Sequence, residues 1–102
     1  MIELMNESEA IGLQKGVLFL HTPLCGTCKM AGQFLQIAEQ IPDIPEMFSL
    51  DLNMAPDIAK DWKIESVPCL VVIDHGNVTD RMYAFKSIMD VVAFVTSNQK
   101  KG

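Results

Sequence analysis

Residues 17–28 are the stretch from which the fold of this 102-residue chain can be inferred: Val17-Leu18-Phe19-Leu20-His21-Thr22-Pro23-Leu24-Cys25-Gly26-Thr27-Cys28. The four consecutive apolar residues at its start predict a strand that is covered on both faces. Thr22-Pro23 then breaks the strand, and the two cysteines open a long segment with helical spacing. The stretch therefore predicts a buried strand that delivers a Cys-x-x-Cys pair to the N-terminus of a helix.

A cysteine pair at a helix N-terminus is suited to dithiol–disulfide exchange. Unpaired backbone N–H groups and the positive end of the helix dipole stabilise a thiolate on the first cysteine, Cys25. Cys28 lies three residues on, on the same face of the first turn, where it can attack a mixed disulfide formed by Cys25. Cys25 is therefore the predicted nucleophile and Cys28 the predicted resolving thiol.

Other roles stay open for the same residues. Cys-x-x-Cys pairs also bind zinc, and two cysteines can simply be small core residues. Cys69 is either a buried hydrophobe or a third thiol that completes a metal site with the pair and His21. His21 itself is either a structural residue at the strand end or a proton acceptor near neutral pH. The redox interpretation is favoured, so we assign no metal ligand.

The composition favours a globular domain and excludes some classes of partner. The length fits one domain, residues 1–102, with a core of its own. The net charge of −5 argues against nucleic acid and anionic membranes as partners, and no apolar run reaches the ~20 residues of a membrane span. The first residues are acidic, unlike the start of a signal peptide. We expect a cytoplasmic monomer, in which three cysteines are not a structural disulfide framework.

The rest of the chain alternates between strand and helix patterns, in the order β-α-β-α-β-α-β-β-α. A helix capped by Asn6 or Ser8 and reaching Gln14, with Ile11 and the flanking Ala10 facing inward, precedes the buried strand. The hairpin at Gly76-Asn77 adds antiparallel strands to a parallel portion, which predicts an α/β fold with a mixed sheet. Residues 98–102 are expected to fray. The helix after the cysteines should end at Pro42 and bury one apolar stripe: Met30, Ala31, Phe34, Leu35, Ile37, Ala38 and Ile41.

Three features together resemble the thioredoxin family. They are the strand that leads to Cys25-Gly26-Thr27-Cys28-Lys29, the later Val67-Pro68, and the turn at Gly76-Asn77. The resemblance covers almost the whole chain and implies the thioredoxin fold, a mixed central sheet flanked by helices. It also implies a thiol–disulfide oxidoreductase without a cofactor. Its partners would be protein or peptide disulfides, with a reductase or a low-molecular-weight thiol as reductant.

The resemblance also assigns a substrate-binding role to Val67 and Pro68. Pro68 would be the family's cis-proline, lying beside the cysteine pair. Val67 would present its backbone N–H and C=O to an extended substrate segment, as in strand addition.

Several positions depart from the family's usual residues. Leu24 stands where thioredoxins usually have Trp, and Gly26-Thr27 where they have Gly-Pro. Phe19 occupies the position of the buried acid, and Ser49 that of the lysine that accompanies it. The usual groups for proton transfer are therefore missing. A thioredoxin-fold binding module with little turnover is the alternative that these departures favour.

Overall fold

Strand β2, Lys15–His21, lies in the middle of a five-stranded sheet. The structure, a computed structural model, describes residues 1–99 apart from the side chain of Gln99. Val17, Leu18, Phe19 and Leu20 are each at most 4% exposed. Their burial confirms the prediction that the apolar run of β2 is covered on both faces.

The sheet is mixed and has the strand order β1-β3-β2-β4-β5. β1, β3 and β2 are parallel to one another, and β4 runs antiparallel to both β2 and β5. This arrangement confirms the predicted α/β fold and the predicted order of elements. In chain order the elements are β1 Ile2–Glu3, α1 Glu7–Ile11, β2 Lys15–His21, α2 Gly26–Ala38, β3 Met47–Asp51, α3 Pro56–Asp61, β4 Cys69–Asp74, β5 Asn77–Met82 and α4 Ile88–Gln99.

The β4–β5 hairpin turns at His75 and Gly76, between the paired residues Asp74 and Asn77. Both turn residues have positive φ, 52° and 79°. Two consecutive residues with positive φ form the tight turn whose twist matches that of two antiparallel strands. Gly76 adopts this conformation without the steric cost that a side chain would bring.

Each face of the sheet carries its own apolar cluster. The first cluster joins the inner faces of α2 and α4 to the sheet through Phe19, Leu35, Leu70 and Val91. The second lies on the opposite face, against α1 and α3, and contains Leu18, Leu20, Ala10, Ile58 and Cys69. The side chains of a strand alternate between the two faces, so neighbouring residues of β2 and β4 belong to different clusters.

Two helices are shorter than the sequence predicts. α2 ends at Ala38, and Met30 and Ile37 are 55% and 51% exposed although their spacing placed them in the inner stripe. α1 ends at Ile11, and the predicted inward position of Ile11 is wrong because its side chain is 60% exposed. Asn6 caps α1 by accepting a hydrogen bond from the Glu9 N–H at 3.0 Å, which confirms one of the two predicted caps.

Helix α4 begins after Ser87, whose hydroxyl accepts a hydrogen bond from the Asp90 N–H at 3.1 Å. Asn98 still lies in α4, and its amide donates to the Phe94 carbonyl at 2.8 Å. The fraying predicted for residues 100–102 lies outside the described residues. Among the helices of residues 1–99, none combines the length and the hydrophobicity that crossing a membrane requires.

Candidate active site

Cys25 and Cys28 form a disulfide across the first turn of α2, with their Cα atoms 5.2 Å apart. Cys25 is the N-cap residue of the helix and has an extended backbone conformation. Strand β2 ends at His21, and the Cys25 N–H donates to the Thr22 carbonyl at 3.3 Å. The connection after β2 therefore turns the chain so that both cysteines face each other at the start of the helix.

The surroundings of the Cys25 sulfur favour negative charge. The Cys28 N–H donates to Cys25 Sγ at 3.1 Å, and the Thr27 hydroxyl oxygen lies 3.4 Å from the same sulfur. The first turn of α2 contains no acidic residue. In the reduced protein these donors and the helix dipole would stabilise a Cys25 thiolate. The sequence interpretation did not single out Thr27, although a hydroxyl two residues after an N-cap sulfur is close enough to reach it.

The two cysteines differ in accessibility. Cys28 is 4% exposed and belongs to the first cluster, whereas Cys25 is half-buried at its edge. Leu24, the residue before Cys25, is 99% exposed, and Met30 in the first turns of α2 is 55% exposed. Cys25 therefore lies at the surface beside apolar side chains, and Cys28 lies behind it.

A cleft of about 320 Å³ opens next to Cys28. Phe19 and Ser49, the residues at the positions of the family's acid and lysine, both line it. The ring of His21 stacks on that of Phe19 with centroids 5.3 Å apart. Among the described residues no carboxylate lines the cleft, and the ionisable side chains that do are those of His21, Lys29 and Cys28. The lining of the cleft therefore offers no acid to Cys28.

Val67 and Pro68 lie at the end of the sheet where the cysteines are. The antiparallel register pairs Leu20 near the end of β2 with Cys69 at the start of β4, which places the residues before β4 beside those that follow β2. The Val67–Pro68 peptide bond is cis, as the resemblance implies. Pro68 is buried. Val67 packs against both clusters, and Cys25 packs against the first. No hydrogen bond within residues 1–99 uses the backbone N–H or carbonyl of Val67.

Cys69 is fully buried in the second cluster, on the face of the sheet opposite to Cys25 and Cys28. Burial raises the pKa of its thiol to about 11, although Tyr83 and Arg81 act in the other direction. The structure thus agrees with a small buried hydrophobe and not with a third thiol near the pair. Within residues 1–99, no three His, Cys, Asp or Glu side chains are grouped as metal ligands, so the predicted alternative of a Cys25, Cys28, Cys69 and His21 site does not form.

We expect an alkylating reagent to modify Cys25 of the reduced protein well before Cys28 and Cys69 at neutral pH. Cys25 is the accessible sulfur with hydrogen-bond donors around it, and the thiolate is the reactive form. Cys69 is fully buried, and burial raises the pKa of its thiol, so it should stay unmodified until the protein unfolds. Mass spectrometry of peptides from a time course measures the order, and early modification of Cys69 or Cys28 would contradict it.

Comparison with known proteins agrees with this geometry. The Thioredoxin family model matches residues 8–97. The chain is 40% identical to the thioredoxin-like protein YusE of Bacillus subtilis over 73 residues, which are 71% of this chain and 68% of that protein. It spans about half the length of the Picea mariana H-type and mouse mitochondrial thioredoxins that it also matches.

Solved structures with the same fold include desulfothioredoxin from Desulfovibrio vulgaris Hildenborough in its reduced form. That structure has a TM-score of 0.78 and 24% identity, and the match covers 94% of this chain and 96% of the other. A second solved structure with this fold comes from a study of the thiol resolving mechanism in yeast mitochondrial 1-Cys peroxiredoxin via glutathione/thioredoxin systems. Its TM-score is 0.74 at 20% identity, with 95% and 94% of the two chains covered. At these identities the two structures establish the fold.

Proposed function

The chain belongs to the thioredoxin family and carries the paired cysteines of a thiol–disulfide oxidoreductase, and on that premise we propose that it reduces protein disulfides through Cys25. The observation that supports this proposal most strongly is the disulfide between Cys25 and Cys28 at the N-terminus of α2. It joins a half-buried sulfur surrounded by hydrogen-bond donors to a buried sulfur within reach.

The proposed reaction has two exchange steps. The Cys25 thiolate attacks one sulfur of the substrate disulfide, forms a mixed disulfide, and releases the other substrate sulfur as a thiolate, which takes up a proton. Cys28 then loses its proton and attacks the Cys25 sulfur, which releases the second substrate thiol and leaves the Cys25–Cys28 disulfide. Two electrons pass to the substrate, and a reductase or a low-molecular-weight thiol must return them.

The substrate would bind as an extended segment beside Val67 and Pro68. The unpaired N–H and carbonyl of Val67 can accept a strand-like partner, and Leu24, next to Cys25, offers an apolar contact because its side chain is 99% exposed. Backbone pairing supplies affinity for many sequences, so this mode suits a reductase of varied protein disulfides.

We propose that the protein acts on protein disulfides in the cytoplasm, a reducing compartment. A reductase or a small thiol would restore its dithiol there, and the protein would contribute to redox homeostasis. Support comes from the family and from the yeast work that links a peroxiredoxin to the glutathione and thioredoxin systems. That work concerns the yeast proteins, and for this chain we propose a peroxiredoxin-like thiol protein as one candidate substrate class.

A binding module with little turnover is the second candidate. The observation that favours it is the cleft beside Cys28, in which Phe19 and Ser49 replace the groups that the family uses for proton transfer. A slow second step would let the protein hold its partner as a mixed disulfide.

The test is steady-state reduction of a disulfide-linked peptide pair, with NADPH and a thioredoxin reductase as the source of electrons. The reductase function predicts many turnovers per protein molecule. A single turnover that leaves the peptide attached to Cys25 would support the binding module. Equilibration with glutathione buffers measures the reduction potential of the Cys25–Cys28 pair in the same preparation.

A further inference from the structure

The end of strand β5 is tied to the connection between α3 and β4, residues 62–68. Arg81 donates from Nε and Nη2 to the Trp62 carbonyl, at 3.0 and 2.8 Å. Trp62 follows the last residue of α3, and carbonyls at a helix C-terminus lack partners within the helix. The guanidinium group therefore satisfies that carbonyl with two charge-assisted hydrogen bonds and fixes the start of the connection.

Tyr83, just beyond the end of β5, contacts the connection further along. Its hydroxyl accepts a hydrogen bond from the Glu65 N–H at 3.2 Å and lies 3.5 Å from the Lys63 carbonyl oxygen. The same hydroxyl lowers the pKa of the thiol of Cys69, the first residue of β4, although burial of that thiol raises it more. Its ring is half-buried against the second cluster.

These contacts place Tyr83 on both sides of the three residues Ser66, Val67 and Pro68. The backbone before them is anchored at Glu65, and the backbone after them enters the sheet at Cys69. Between the two anchors, the Val67 N–H and carbonyl make no hydrogen bond within the described residues. The orientation of the Val67 peptide groups therefore depends on these two anchors, and the Tyr83 hydroxyl makes the first of them.

We propose that Tyr83 is a positioning residue for substrate binding, because its hydroxyl holds residues 66–68 in the orientation in which Val67 pairs with the substrate backbone. The inference rests on the proposed function, in which an extended substrate segment pairs with Val67. Nothing in the Tyr83 contacts involves the two sulfurs of the active site. Its effect should therefore depend on whether the disulfide is carried by a peptide backbone.

Tyr83→Phe removes the hydroxyl and keeps the ring, which makes it the test variant. Thr79→Val is the matched control, since it removes another β5 hydroxyl, one that donates to the Val72 carbonyl at 3.4 Å, away from the connection. Both variants are compared with the parent on a disulfide-linked peptide pair and on 5,5′-dithiobis(2-nitrobenzoate), a small disulfide without a backbone to pair. Amide hydrogen exchange at Glu65 and Val67 is measured in parallel.

For Tyr83→Phe we expect kcat/KM on the peptide to fall about threefold to tenfold, mainly because KM rises. This size is expected for the loss of one hydrogen bond that positions the substrate-binding residues. Its rate with the small disulfide should stay within about twofold of the parent, and exchange at Glu65 should accelerate. Thr79→Val should change none of these quantities.

Other results separate the two proposals. An equal fall on both substrates would show that Tyr83 acts through general stability, and unchanged peptide kinetics or unchanged exchange at Glu65 would also overturn its positioning role. Those outcomes leave the proposed function intact because the parent still reduces the peptide. A parent that reduces only the small disulfide would instead overturn the proposed function, and the role of Tyr83 with it.

Discussion

Replacing Cys25 with serine should abolish peptide-disulfide reduction, with a loss of roughly a thousandfold or more in kcat/KM. Replacing Cys28 with serine should stop turnover as completely but leave the first exchange step in place. The asymmetry follows from exposure, because Cys25 is half-buried at the surface and Cys28 is 4% exposed behind it. Only Cys25 can meet a disulfide carried by another protein.

The Cys28→Ser variant should therefore accumulate a mixed disulfide between Cys25 and the peptide, and the Cys25→Ser variant should not. Mass spectrometry under non-reducing conditions measures the adduct and locates it. Cys69→Ala is the matched control, since Cys69 lies in the second cluster on the opposite face of the sheet and should not affect turnover. Adducts on Cys28 in the Cys25→Ser variant would reverse the assigned roles, and continued turnover by Cys28→Ser would show that Cys28 is not needed for the second step.

The sequence predicts the centre of this fold well because the strongest patterns lie there. An uninterrupted apolar run is typical of a strand covered on both faces, and β2 is such a strand. The turn at Gly76 needs residues that tolerate positive φ. Cys25 and Cys28 need only the start of a helix to come together. Each of these inferences depends on residues that are close in sequence.

Other features could not be predicted because they depend on what packs against an element. Helical spacing groups Met30 and Ile37 with Leu35, but the spacing does not say how wide a strip the sheet and α4 cover. Leu35 is fully buried, and the other two are more than half exposed. The face of the sheet on which Cys69 lies follows from the register of β4 against β2, which no local pattern contains.

The candidate site was partly predictable for the same reason. The local pattern gave Cys25 and Cys28, and the resemblance gave Val67 and Pro68. The roles of all four residues in this chain are still predictions. Tyr83 could not be found from the sequence, since its contacts with Glu65 and Cys69 join segments that are distant along the chain.

The second large effect concerns the step in which Cys28 resolves the mixed disulfide, and it follows from the presence of Phe19 at the position of the family's acid. Cys28 must lose its proton to attack, and burial disfavours the charged thiolate. Phe19 is 4% exposed and lines the cleft beside Cys28, and among the described residues no carboxylate lines this cleft. The proton must leave through water in the cleft, through His21 or with the departing thiolate. In the parent protein, resolution should therefore accelerate as the pH rises from about 6 to 9.

Phe19→Asp places a proton acceptor in this cleft and should speed resolution about a hundredfold near neutral pH, the lower end of the range for general acid–base catalysis. Phe19→Asn is the matched control, because asparagine has the same size as aspartate and cannot take up the proton. Quenched-flow trapping of the Cys25 mixed disulfide measures the rate in both variants. We expect the Asp variant alone to be faster than the parent.

Both variants should be less stable than the parent, since truncating a buried phenylalanine costs about 3–5 kcal/mol. Only in the Asp variant should the substitution make the free energy of unfolding depend on pH in a new way. The poorly solvated site raises the pKa of the new carboxyl in the folded state, whereas the unfolded chain ionises near its usual value of about 3.9. Above that pH the unfolded state releases the proton first. The Asp variant should therefore lose further stability as the pH rises from about 4 towards its folded pKa, relative to Phe19→Asn.

Urea unfolding at pH 4, 5.5 and 7 measures this difference, and the mixed-disulfide kinetics follow at a pH where both variants remain folded. A folded Asp variant that resolves no faster than Phe19→Asn would show that a carboxylate at this position does not reach the Cys28 proton. A parent whose resolution is independent of pH between about 6 and 9 would show that burial of Cys28 does not limit the step. In that case the departing substrate thiolate would remove the proton directly, and the absence of the family's acid would carry no kinetic cost.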